Sequence, residues 1–265
     1  MKIIHFIDDK GDKYFGTEST DNQAEVLSGD LFGNLVKTNK TKKIKSYLAP
    51  LVPKSILCIG LNYKAHAKET GMRLPEYPIL FMKNVAAITS HHSNIIIPEC
   101  CKNPHQVDFE AELAVVIGKA AKNVKAKDAF DYIFGYTIAN DVSARTWQRS
   151  GGGKQWVRGK SFDTFCPLGP AIITADEGIN PDNLNISLKL NGKIMQESNT
   201  SDLIFSVSQL IEFLSEDTTL LPGTVILTGT PSGVGFSRKP PVFLKEGDVI
   251  ETKIEKIGTL MNGVE

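Results

Sequence analysis

The stretch Val107-Asp-Phe-Glu-Ala-Glu112 sets carboxylates at alternate positions, Asp108, Glu110 and Glu112. On a strand, alternate side chains share a face, so these acids project together while Val107, Phe109 and Ala111 point away. Carboxylates held this close repel one another and need positive charge among them, which predicts a hard metal ion or a basic partner. The apolar run Leu113-Ala-Val-Val-Ile-Gly118 follows at once and argues for a buried strand. Asp141 closes the run Tyr136-Thr-Ile-Ala-Asn-Asp141. There it is either a third acidic ligand approaching Glu110 and Glu112, or a cap for the Val-Ser-Ala-Arg segment that follows. Two Glu and one Asp suit the octahedral oxygen shell of magnesium, with water or substrate in the remaining places. Zinc fits less well, because the histidines and cysteines show no ligand spacing.

His66 and Glu69 lie three apart in Tyr63-Lys-Ala-His-Ala-Lys-Glu69. On a helix they share a face, where the carboxylate can orient the imidazole and let it deprotonate a water. Lys160 precedes an apolar, proline-punctuated stretch, Ser161 to Pro170, and is either a cation drawn into a site, where it would stabilise an enolate or carboxylate, or a solvated lysine at a strand end. The glycines of Thr228-Gly-Thr-Pro-Ser-Gly-Val-Gly235 would let backbone N–H groups and threonine hydroxyls approach an anion. That segment lacks the Gly-Lys-Ser/Thr ending of a phosphate loop, and Ser150-Gly-Gly-Gly-Lys154 reads as a flexible loop.

Positioning these groups falls to a chain of 265 residues with 41% hydrophobic content, enough for a substantial core. Thirty basic residues cancel thirty acidic ones, so no broad field exists to attract nucleic acid or an anionic membrane, and small ligands are the expected partners. No apolar run approaches the roughly 18 residues of a membrane helix. The first ten residues carry charge too early for a secretory signal, and the expected location is the cytoplasm, or the mitochondrion in a eukaryote. Cys58, Cys100, Cys101 and Cys166 show no Cys-x-x-Cys pair and read as reduced thiols. Residues 1–53, ending in a proline-marked linker, read as a small N-terminal α/β region, and residues 54–265 as the main domain. Strand signals dominate that domain: 56–60, 79–83, 94–98, 112–118, 134–141, 186–192, 224–229 and 248–254. Helices are expected over 64–70, 126–132 and 206–214, and Asn191-Gly192 marks a hairpin. The fold class is therefore mixed α+β and β-dominated, against a doubly wound nucleotide fold.

Taken jointly and in order, five segments resemble the fumarylacetoacetate hydrolase family over roughly residues 54–260. They are Gly60-Leu-Asn-Tyr-Lys-Ala-His-Ala-Lys-Glu69, Asp108 to Gly118, Asn140-Asp-Val-Ser-Ala-Arg-Thr-Trp-Gln148, Gly159-Lys-Ser-Phe-Asp-Thr-Phe-Cys-Pro-Leu-Gly-Pro170 and Leu227-Thr-Gly-Thr-Pro-Ser-Gly-Val-Gly235. Residues 153–170 look most like its domain-containing protein 2 branch. The resemblance implies a β-roll C-terminal domain and at least a homodimer. It also implies magnesium, with manganese or calcium as substitutes, held by Glu110, Glu112 and Asp141; Asp108 falls at a variable position outside that set. Lys160 matches the active-site lysine, and His66 with Glu69 the acid/base dyad on a lid. Arg145, Gln148, Thr230 and Gly229 fall where substrate is held. The leading expectation is hydrolytic C–C cleavage of acylpyruvate-type 2-oxo acids through a stabilised enolate. Oxaloacetate tautomerisation or decarboxylation is the alternative, and a non-catalytic metal-binding protein the remote one.

Overall fold

Every residue of the strand Ala111–Ile117 is buried, because it has apolar packing on both faces. Leu113, Val115 and Ile117 belong to one hydrophobic cluster and Ala114 and Val116 to another. A strand covered on both sides reads as a continuous apolar run rather than an alternating one, which is the pattern seen in the sequence. Full burial of each Leu, Ile or Val contributes roughly 1.5–3 kcal/mol. Glu112 within this strand is therefore a costly residue that packing alone does not explain.

The computed structural model describes residues 1–19, 22–149 and 151–265; Ser150 of the expected glycine loop lies outside them. Among the described residues the main sheet has twelve strands. Its central order is Lys2–Ile7, Cys166–Thr174, Ile133–Asn140, Ala111–Ile117, Thr224–Leu227, Ser55–Gly60 and Ile79–Lys83. Beyond Lys2–Ile7 the meander Lys13–Glu18, Gln23–Gly29 and Leu35–Lys43 extends the same sheet. Pairing is antiparallel along this path except between Thr224–Leu227 and Ser55–Gly60. A second sheet of four strands, Lys193–Asn199, Asn185–Leu190, Val249–Ile254 and Gly258–Gly263, lays Leu188, Ile250 and Leu260 on the first cluster. The helix Val207–Ser215 adds Leu210, Ile211 and Leu214 to it, started by a capping box in which Ser206 and Gln209 satisfy each other's backbone N–H.

The helix Lys64–Thr70 has the expected bounds, and 126–132 forms as a 3-10 helix. At the hairpin, Leu190 pairs with Lys193 while Asn191 and Gly192 both take positive φ, as a two-residue turn between twisted strands requires. Three expectations are corrected. The described part of residues 1–53 forms strands and no helix, because short alternating segments ending in turns pair as a meander. Residues 94–98 make no strand, only an isolated bridge from Ile95 to Val264. The strand expected over 107–112 is interrupted at Phe109 and Glu110, which turns Asp108 away from the other two acids and onto Arg145. The long strand Cys166–Thr174 was not foreseen, because its prolines at 167 and 170 read as punctuation.

Candidate active site

The antiparallel register of Ala111–Ile117 with Ile133–Asn140 pairs Ala111 with Asn140 and Glu112 with Ala139. Continued one step, it sets Glu110 against Asp141, whose N–H donates to the Glu110 carbonyl oxygen at 2.8 Å. Asn140 Oδ1 accepts the Glu110 N–H at 2.9 Å, which pins the point where the strand breaks. The result is a buried group, Glu110, Glu112 and Asp141, whose carboxylate oxygens come within 4.8 Å of one another.

Three cations reach this group from other elements. Lys160 ends the short helix Trp156–Lys160 and is 1% exposed, so it is no solvated lysine. Its Nζ donates to Glu110 Oε2 at 2.7 Å and to Asp141 Oδ2 at 2.6 Å. Lys83, at the end of Ile79–Lys83, donates to Asp141 Oδ1 at 2.5 Å and to the Val142 carbonyl at 3.2 Å. Arg145 Nε donates to Asp108 Oδ2 at 2.8 Å, and its Nη1 lies 2.7 Å from Glu110 Oε1 and donates to Gln148 Oε1 at 2.8 Å. Asp108 also accepts the N–H groups of Gly235 and Phe236, at 2.8 and 3.0 Å. Gly235 has to be glycine for this, since a Cβ there would stand 2.5 Å from Asp108 Oδ1 and 1.9 Å from the Val242 carbonyl oxygen.

The charges are shared unequally. Burial pushes the Glu110 carboxyl up, but Lys160 and Arg145 overcome it and hold the group at about 2. Among the described residues Glu112 receives only the Gly229 N–H, at 2.7 Å, and burial together with the charges of Asp141 and Glu110 drives it well above the usual carboxylate range. Burial alone would favour neutral Lys160, yet Asp141 and Glu110 raise its pKa above the ordinary lysine value. Four buried carboxylates, Asp108, Glu110, Glu112 and Asp141, thus meet three buried cations, and the deficit falls on Glu112. An all-oxygen donor set with one uncompensated member fits a hard divalent cation, which would relieve the repulsion that now bears on Glu112.

His66 stands across the same cleft. Asp202 Oδ2 accepts the Ala65 N–H at 2.9 Å and caps the helix Lys64–Thr70, whose other end closes on Gly71 in a left-handed conformation. His66 Nδ1 lies 3.0 Å from Glu69 Oε2. An ionised carboxylate only accepts, so Nδ1 carries the proton, and in the neutral imidazole it is Nε2 that has the lone pair. Glu69 Oε1 accepts from the Gly233 N–H at 2.9 Å and Ser237 Oγ at 2.8 Å, which ties the helix down on the glycine-rich loop. Against the desolvation of partial burial, the bonds from His66, Ser237 and Gly233 hold the Glu69 carboxyl below its ordinary value.

One cleft collects most of the residues foreseen from sequence: His66, Glu110, Glu112, Arg145, Gln148, Lys160 and Thr230 line it. Glu69, Asp141 and Gly229 each hydrogen-bond a residue that does, respectively His66, Lys160 and Glu112. Gly229 therefore offers its N–H to Glu112 in this structure. Its φ of +103° and the 2.7 Å from a would-be Cβ to Asn62 Cβ make glycine obligatory there. Sequence reasoning missed Gln196 as a buried part of the site, and it left Lys83 out of the site residues because Asn84 follows it where relatives often have another residue. The available signal was a polar residue inside an apolar strand run, in Phe81-Met-Lys83 and in Ile194-Met-Gln196.

Comparison with known proteins agrees with this geometry. The family described as "Fumarylacetoacetate (FAA) hydrolase C-terminal" matches residues 55–265. A mitochondrial oxaloacetate tautomerase of Bos taurus is 49% identical over 220 residues, 83% of this chain and 69% of that protein. A fumarylacetoacetate hydrolase domain-containing protein 2 homolog of Dictyostelium discoideum is 44% identical over 264 residues, 95% of this chain and 84% of that one. Among solved structures, a 2-hydroxyhepta-2,4-diene-1,7-dioate isomerase from Mycobacterium marinum superposes with a TM-score of 0.85 at 37% identity, covering 100% of this chain and 98% of its own. With its family match, relatives near half identity and a shared fold over its whole length, this chain belongs to the fumarylacetoacetate hydrolase family of enzymes.

Proposed function

We propose that the protein catalyses the magnesium-dependent keto–enol tautomerisation of oxaloacetate or a closely related 2-oxo dicarboxylate. The observation that carries this reading is the convergence of a Glu69-held imidazole and the buried Lys160 ammonium on one carboxylate-floored cleft. Magnesium held by Glu110, Glu112 and Asp141, with manganese or calcium as substitutes, would supply Lewis-acid polarisation of the 2-oxo and carboxylate oxygens. His66 Nε2 removes a proton from C3 of the keto form, and the C–H electron pair moves through the C2–C3 bond onto the carbonyl oxygen. Lys160 stabilises the negative charge gathering there, and protonation of that oxygen gives the enol; the reverse sequence restores the ketone. Gln148 offers its amide N–H groups to the substrate, since its carbonyl oxygen already accepts from Arg145. Arg149, exposed at the rim and stacked 4.6 Å from the Phe236 ring centre, suits a second carboxylate. The names of the Bos taurus and Mycobacterium marinum relatives support a proton-shifting reaction on a dicarboxylate over the acylpyruvate cleavage first expected.

Acylpyruvate hydrolysis is the second reading, favoured by the free Nε2 of His66, which could equally activate water. Pure protein with magnesium is to be given enol oxaloacetate and, separately, acylpyruvates. Accelerated enol decay with intact acylpyruvate supports tautomerisation, while release of pyruvate and an acid supports hydrolysis. Reaction of neither substrate sinks both readings.

Residues 54–265 carry every residue assigned a role, so the division at residues 53 and 54 is proposed as the edge of the catalytic domain. A homodimer is proposed because the edge strand Ile79–Lys83 exposes Leu80 and Met82, and Leu80 lines a shallow hollow together with the exposed Val157, to be tested by analytical sedimentation. The mitochondrial names of relatives support mitochondria over the cytoplasm first expected, and cell fractionation decides between them. No helix is long and apolar enough to cross a membrane among the described residues.

A further inference from the structure

Gln196 sits on the strand Lys193–Asn199, 1% exposed, between the carboxylate group and the glycine-rich loop. Its Oε1 accepts the N–H of Ala111, the residue between Glu110 and Glu112, at 2.9 Å. Its Nε2 donates to the Pro231 carbonyl at 2.9 Å and to Thr230 Oγ1 at 2.8 Å. These partners leave no freedom to flip the amide: a backbone N–H can only donate, so the atom facing Ala111 is oxygen. A backbone carbonyl can only accept, so the atom facing Pro231 is nitrogen. The same nitrogen then gives a proton to the Thr230 hydroxyl, whose own proton must go elsewhere. Thr230 lines the cleft, and among the described residues no acceptor takes that proton.

We propose that Gln196 is a positioning residue that locks the Thr230 hydroxyl as a hydrogen-bond donor aimed at the carboxylate of the bound substrate. The proposal rests on the reading of the cleft as a 2-oxo acid site. By holding Ala111 and Thr230 with one rigid amide, Gln196 also fixes the distance between the acidic floor and the loop that grips the substrate. No neutral hydroxyl-bearing or apolar side chain at 196 performs both tasks.

Gln196→Glu is nearly isosteric and reverses the polarity. One oxygen still accepts from Ala111, but the other faces Thr230 as an acceptor and draws the hydroxyl proton away from the substrate, and the bond to the Pro231 carbonyl is lost. Gln196→Met removes both bonds and leaves the hydroxyl free to turn. With oxaloacetate and magnesium, Gln196→Glu is expected to raise KM by roughly ten- to a hundredfold with a much smaller change in kcat, the size of one hydrogen bond to a charged group. Thr230→Val is expected to raise KM to the same degree, and the double variant Gln196→Glu/Thr230→Val to be no worse than Thr230→Val alone. Thr230→Val should share the KM rise of Gln196→Glu with a smaller loss of melting temperature, and Gln196→Met should show a smaller rise in KM than Gln196→Glu; a purely structural role would instead make KM follow melting temperature across the three. If Gln196→Glu does not fold, the pair Gln196→Met and Thr230→Val carries the test through their coupling. Losses that multiply independently, or KM values that simply follow melting temperature, overturn the proposal. An inactive wild type would instead overturn the reading of the cleft, so the two failures are distinguishable.

Discussion

Asp141 stands against Glu110 where two central strands end, its N–H on the Glu110 carbonyl at 2.8 Å, and a single ammonium, Lys160, binds both side chains. Backbone register thus sets the spacing of two acids, and a distant helix supplies the charge that makes the spacing tolerable.

Replacing that charge tests the arrangement. Lys160→Met keeps the length and apolar stem of the side chain but leaves Glu110 and Asp141 short of a cation. Turnover is expected to fall about 10²–10³-fold, the usual loss for one electrostatic stabiliser of a developing oxyanion. Steady-state kinetics on folded variant, verified by circular dichroism, decides; retention of wild-type kcat refutes the role given to Lys160.

His66 and Glu69 are expected to differ in severity. His66→Gln removes the base and should lower kcat by about 10²–10⁴-fold with substrate binding retained. Glu69→Gln still accepts hydrogen bonds but loses the charge that orients the imidazole, so a smaller loss in kcat is expected. Equal losses, or a change confined to KM, would contradict the assignment of Nε2 as proton acceptor.

Glu112 is the acid the three cations leave uncompensated, and its raised pKa favours the neutral form, so Glu112→Gln is expected to leave the metal-free protein as stable as wild type or more so. The same change should abolish stabilisation by magnesium. At a hundredfold excess over its dissociation constant a bound ion adds about 2.7 kcal/mol, which for a chain of this size moves the melting temperature by roughly 5–10 °C. Thermal melts with magnesium and with a chelator measure both effects. A magnesium-dependent rise that survives Glu112→Gln would remove this residue from the ligand set.

Acid sensitivity should trace in part to His91. Its Nδ1 accepts the Met261 N–H at 3.0 Å, and burial, then the neighbouring His92, hold its pKa at about 4 against an ordinary 6.5, despite Glu18 nearby. Between these values the unfolded chain binds a proton that the folded protein refuses, so stability is full above about pH 6.5 and declines as pH falls toward 4. Urea unfolding at several pH values should give a shallower decline for His91→Gln than for wild type. Parallel curves for the two proteins would exclude this histidine as a contributor.

Much of this was legible in the chain itself. The helix Lys64–Thr70, the hairpin at Asn191-Gly192 and the buried strand after Glu112 depend on local periodicity and turn chemistry, which neighbouring residues carry without help. His66 and Glu69 were readable for the same reason, since a spacing of three on a helix is itself a contact. The strand Cys166–Thr174 and the docking of Lys2–Ile7 on it were not legible, because the two pair with each other from more than a hundred residues apart.

Sequence by itself determined which residue types could do chemistry and which local elements carry them. Tertiary structure alone decided their electrostatics: that Lys83, Arg145 and Lys160 converge on the acids, that Asp108 serves Arg145 rather than the Glu112 face, and that Gln196 joins Ala111 to Thr230. The physical reason is range. Propensity and periodicity act over a few residues, whereas the pairing of buried charges depends on distances set only once strands remote in the chain lie side by side.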